Sequence, residues 1–194
     1  TGSADSVSLT SGVGKKSNQS ASITVISGGD ISGTIVAHGS ADLTAEGSIS
    51  ATTTADSDLS AAAFGGSISG DLTSHQGSIE AITAGLVSGD LDAYKNVNLT
   101  AGENVSGSLT AVTGDLSLTA KGHVYQGNIF VGNDAVIIVK GDVDSTIAVG
   151  NNLTLTVGGR QRSRLRRRRS FGQHHRSHQY RLHRGPKPQP FHSQ

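Results

Sequence analysis

Tryptophan, methionine and cysteine are absent from this chain, and aromatic residues are scarce, with 4 Phe and 3 Tyr in 194 residues. Without cysteine there is no disulfide framework and no thiolate chemistry, so the redox compartment is left open. Without tryptophan and methionine, the usual fillers of irregular cores are missing. A core drawn from Ile, Val, Leu and Ala therefore needs a regular architecture that stacks like on like. Proline is missing until Pro186, which suits a chain whose amides must nearly all join a ladder. No apolar run approaches the ~20 residues that span a bilayer. Thr1 is not followed by a basic–apolar leader, and the chain is expected to be a segment of something longer.

Arginine is also missing from the first part of the chain, and acids from the last. All 15 acids lie between Asp5 and Asp144, where there are five lysines and no arginine, a formal −10. From Arg160 onward come all ten arginines, Lys187 and no acid, a formal +11. The overall +1 is thus the sum of two unlike pieces, residues 1–159 and 160–194.

What the chain has is a repeat. Val13, Ile31, Ile49, Ile68, Val87, Val105, Val124 and Val143 are spaced by 18, 18, 19, 19, 18, 19 and 19 residues. Four or five residues after the last seven come Ile35, Thr53, Leu72, Leu91, Leu109, Ile129 and Ile147. About ten residues after the anchors come pairs at i and i+2: Ile23/Val25, Leu43/Ala45, Leu59/Ala61, Ile79/Ala81, Val97/Leu99, Leu116/Leu118, Val136/Ile138 and Leu153/Leu155. Val7/Leu9 reads as the same pair of a preceding coil. Alternation with period 2 predicts strands, and no segment carries helical spacing. Hairpins would alternate too, but only parallel strands stacked coil on coil require a fixed phase. Glycines two residues before the anchors (Gly29, Gly47, Gly66, Gly85) mark sharp corners. Residues 1–159 are therefore expected to form an all-β parallel β-solenoid (β-helix) of about eight coils of 18–19 residues. At ~4.8 Å per coil it would be about 38 Å tall.

The segments Gly66-Ser-Ile-Ser-Gly-Asp-Leu-Thr73, Gly85-Leu-Val-Ser-Gly-Asp-Leu-Asp92 and Gly114-Asp-Leu-Ser-Leu-Thr-Ala120 resemble the repeats of filamentous haemagglutinin-type bacterial surface adhesins. The resemblance covers roughly 7–157. It implies an elongated secreted or surface-anchored protein, extracellular or on the bacterial cell surface, with host or neighbouring cell-surface molecules or glycans as partners. It carries over no catalytic residue.

Candidate sites in the body are weighed against solvated corners. His38, His75 and His123 lie in different coils without second ligands at zinc spacing. Gly28-Gly29-Asp30 and Gly132-Asn133-Asp134 approach calcium-binding nonapeptides, but not in tandem. The pairs Asp56/Asp58, Asp90/Asp92 and Asp142/Asp144 have glycosidase chemistry as a distant alternative to two acids on one strand's solvent face. No catalytic residue, cofactor or metal site is expected.

Residues 160–194 read as a disordered basic tail. Arg164, Arg166, Arg167, Arg168 and Arg169 are the alternative functional site, a non-specific contact to nucleic acid or another polyanion. Codon logic offers another origin. Shifted by one nucleotide, Arg168–His183 can be rewritten as a further Gly-Asp-Leu-Ser coil, which favours a reading-frame change near Gly159. An uncovered edge near Leu153–Val157 would invite end-to-end self-association.

Overall fold

In the computed structural model, the described residues are 7–10, 21–167 and 180–184. They form two parallel sheets of nine strands each, and every neighbour in a sheet lies one coil away in sequence. The first sheet runs through Val7–Thr10, Gly33–Ala37, Thr52–Ala55, Leu72–Ser74, Leu91–Ala93, Leu109–Ala111, Val124–Val131, Val143–Val149 and Arg164–Arg167. The second runs through Ile23–Ser27, Ala41–Ala45, Leu59–Ala63, Ile79–Thr83, Val97–Ala101, Leu116–Ala120, Ala135–Val139, Leu153–Val157 and Tyr180–Arg184. A third wall consists of bridges joining Ile31, Ile49, Ile68, Val87, Val105 and Val124 in turn. This is a parallel β-solenoid.

The anchors form one inward column as expected, with Ile49, Ile68, Val87, Val105 and Val143 fully buried. The second column, from Ile35 through Thr53, Leu72, Leu91, Leu109 and Ile129 to Ile147, is paired residue by residue. Corner amides join as well: Ile31 N–H donates to Ser48 O (2.8 Å) and Ser50 N–H to Ile31 O (2.8 Å). Between the first two columns runs a line of small residues, Gly33, Ala51, Gly70, Gly89, Gly107 and Gly127. A Cβ at Gly89 or Gly107 would collide with the carbonyl oxygen of the glycine one coil below, so the close turn itself selects glycine there.

Three details differ from the sequence expectation. In Ala135–Val139 the inward residues are Ala135, Ile137 and Val139, while Val136 and Ile138 are 45% and 44% exposed. That strand is apolar at every position, so alternation cannot fix which face turns inward. In Ala41–Ala45 the residues aligned with Leu59/Ala61 are Ala41/Leu43, two residues earlier than expected, because Ala45 aligns with Ala63. Val7–Thr10 pairs with Gly33–Ala37, with Leu9 opposite Ile35. It thus belongs to the first sheet, whereas its sequence pattern had suggested the second. Val13 lies outside the described residues.

The ladder also runs past Gly159. Val143 N–H donates to Arg160 O (2.9 Å), Arg162 N–H donates to Val143 O (2.8 Å), and Arg164–Arg167 pairs with Thr146–Val149. Tyr180–Arg184 pairs with Leu153–Val157. Ladder hydrogen bonds thus continue through residues 160–167. Gln161 continues the anchor column and Leu165 the second, while Arg167 aligns with Val149. Residues 168–179 and 185–194 lie outside the described residues.

Candidate functional site

Among the described residues, seven acids of the body are committed to the corners. A side-chain oxygen in one coil accepts an amide hydrogen bond from the equivalent corner of the next. Asp30 Oδ1 accepts from Ser48 N–H (2.7 Å), Asp90 Oδ1 from Ser108 N–H (2.7 Å), and Asp134 Oδ1 from Asn152 N–H (2.9 Å). Both calcium-like segments are used in this way through Asp30 and Asp134. One member of each acid pair does the same: Asp58 accepts from Ser78 N–H (2.8 Å), and Asp142 from Arg160 N–H. Charge-assisted bonds to amides that no strand partner satisfies explain why acids recur at these phases. Among the described residues, no group of three His, Cys, Asp or Glu is arranged to hold a metal ion.

The histidines also bond between coils. His38 Nδ1 and His75 Nδ1 each lie 3.1 Å from a different oxygen of Asp56, giving a His–Asp–His column across three coils. The hydrogen bond from His75, then that from His38, holds the Asp56 carboxyl below its ordinary value. His38, Asp56 and His75 share one phase, seven residues after their anchors, but sequence analysis treated the histidines and Asp56 separately. Further along, Asp142 N–H donates to His123 Nδ1 (2.9 Å), which leaves the imidazole proton on Nε2.

Among the described residues, the outer surface carries two depressions of note. A groove of about 500 Å³ crosses several coils beside the second sheet and is lined by Asp42, Asp58, Ser60, Glu80, Asn96 and Asn98. A smaller cleft of about 220 Å³ lies where Val124–Val131 bulges, and its lining includes Gln126, Asn128, Asp144, Arg162 and Arg164. Of the basic residues proposed from sequence, Arg164 is exposed and lines this cleft. Arg166 and Arg167 belong to the same strand, in register with Ala148 and Val149. Arg168 and Arg169 lie outside the described residues. Arg162 was not singled out from sequence; it precedes the strand Arg164–Arg167 and lines the same cleft as Arg164.

Compared with protein-family models, curated proteins and solved structures, the chain matches none. Among the described residues, no helix is long and apolar enough to cross a membrane. The fold and repeat themselves define the class: a β-solenoid repeat protein.

Proposed function

We propose that this chain is a non-catalytic, structural and adhesive repeat segment of a large secreted or surface-anchored bacterial protein of the filamentous haemagglutinin type. The observation that supports this most is the division of labour within each coil. Inward positions are consumed by the core, while outward positions carry uncharged rows along the axis beside acids such as Asp42, Glu80 and Asp92. Ser32, Ser50, Ser69, Ser88 and Ser106 each follow an anchor and make one such row. Rows of hydroxyls at a fixed rise suit shallow, repeated contact with glycans or other cell-surface molecules.

The test compares the native chain, immobilised on beads, with Leu91→Asp. Leu91 is fully buried between Leu72 and Leu109, so an unpaired charge there should unfold several coils together. Beads carrying the native chain should be retained on cells or on a glycan panel, and beads carrying the variant should not. No retention, or equal retention of both, would count against the reading.

A second reading, as a polyanion binder, is favoured by one observation. The side chains of Arg162 and Arg164 make no hydrogen bond or ion pair to another described residue, and both residues are exposed. Salt-dependent DNA binding that disappears on deleting 160–194 would support it. Binding that survives the deletion would rule it out.

A further inference from the structure

We propose that the small cleft beside Gln126 is a binding site for a single oxyanion, a phosphate or sulfate group. Two departures from the repeat meet there. The first is in the backbone. Tyr125 pairs with Asp144 and Asn128 with Thr146, so Gln126 and Gly127 together stand opposite Ser145. This is a β-bulge, a device that re-aims side chains where it occurs. Gln126 has φ 68°, and it is the one non-glycine residue with positive φ among the described residues. Glutamine gains nothing from that conformation, for which glycine or asparagine is the usual choice.

The second departure is electrostatic. Before Arg160 the body has no arginine, yet Arg162 and Arg164 both line this cleft. A guanidinium presents planar forked donors that match the oxygens of phosphate or sulfate. Gln126 and Asn128 add side-chain amides, and Thr146 adds a hydroxyl. Asp144 is the one carboxylate in the lining, so the cleft keeps a net positive charge. A volume of about 220 Å³ holds a tetrahedral oxyanion and the first atoms of whatever carries it. The site does not depend on the adhesive reading, since a rod that adheres to nothing would still contain it. It differs from polyanion binding because it depends on the bulge as well as on charge.

The experiment is titration calorimetry of the full chain at fixed ionic strength with inorganic phosphate, inorganic sulfate, glucose 6-phosphate and glucose 6-sulfate. Saturable binding of any of these is expected, and the tightest identifies the source of the oxyanion. Arg162→Gln and Arg164→Gln should each weaken it about tenfold, the loss expected for one charged hydrogen bond. Arg160→Gln, an exposed arginine outside the cleft, should leave it unchanged. Gln126→Gly should raise the melting temperature by relieving the backbone, yet weaken the anion severalfold. Three results would overturn the proposal: no saturable binding, an equal loss with Arg160→Gln, or full affinity in Gln126→Gly. The second of these would indicate diffuse polyanion attraction.

Discussion

Thr53 occupies a column that its neighbours fill with Ile35 and Leu72, and its Oγ1 is buried with no hydrogen-bond partner. Ser145 Oγ is likewise buried without a partner, whereas the buried hydroxyls of Ser74 and Thr83 are bonded. Ser74 Oγ donates to Ser57 O (2.6 Å) and accepts from Gly77 N–H (3.1 Å), which ties a corner to the coil below. Thr53→Val keeps the shape and removes the unpaired hydroxyl, so it should stabilise the chain by about 1 kcal/mol. Denaturant melts would check this, and a loss of stability would show that the hydroxyl has a partner. Ser74→Ala should destabilise by a similar amount, because two bonds end on that oxygen.

Asp56 gives a pH-dependent prediction. Its folded carboxyl titrates below the ordinary 3.8, held there by His75 and then His38. Its stabilisation is therefore complete above the unfolded value and is lost as pH falls through the folded one. The difference in melting temperature between the native chain and Asp56→Asn should accordingly shrink below about pH 4. A difference that grows on acidification would contradict the His–Asp–His geometry.

At the scale of a single strand, Ala135–Val139 is the sharpest case. Ile137 is fully buried and Ile138 is 44% exposed, although they are adjacent and identical in type. Ile138→Lys should change stability by no more than about 0.5 kcal/mol. Ile137→Lys buries a charge in the core and should cost several kcal/mol. Equal effects in urea titrations would mean the strand's register is wrong. This strand also shows where the sequence stopped being legible. The anchor columns were readable because stacking forces one phase on every coil, and the 18–19-residue spacing of Ile31 through Val143 records it. The facing of Ala135–Val139 was not, because five apolar residues in a row satisfy either face.

The candidate sites were less legible than the core. The corner acids looked merely solvated because their partners are backbone amides, which no side-chain pattern reveals. The bulge at Gln126 did leave a trace: Ile129 follows its anchor by five residues, where the other coils have four. One extra residue in an otherwise fixed phase is what a bulge requires.

At the scale of the whole molecule, the ladder crosses the charge boundary at Gly159. Arg164–Arg167 covers the edge of Val143–Val149, and Tyr180–Arg184 that of Leu153–Val157. A chain ending at residue 159 would leave both edges bare, and bare parallel edges recruit further strands. Sedimentation should therefore show stronger concentration-dependent association for the truncated chain than for the full one. Equal behaviour would mean that those strands do not protect the edge. The nucleotide sequence past codon 159 bears on the same segment. If a shifted frame returns further coils of the repeat, the basic segment belongs to this chain and not to the parent protein.

The central claim is that the coils stack in parallel and in register, and the absence of native cysteine allows a clean test of it. Asn98 and Ser117 are register partners on the exposed face of adjacent coils, and Thr119 lies two residues beyond Ser117 on the same face. In-register parallel neighbours fall within the Cα separation of ~4.4–6.8 Å that a disulfide spans. Under mild oxidation, Asn98→Cys/Ser117→Cys should close to an intramolecular disulfide, and Asn98→Cys/Thr119→Cys should remain largely reduced, as read by mass spectrometry. Closure of the second pair in preference to the first, or of neither, would contradict the solenoid described here.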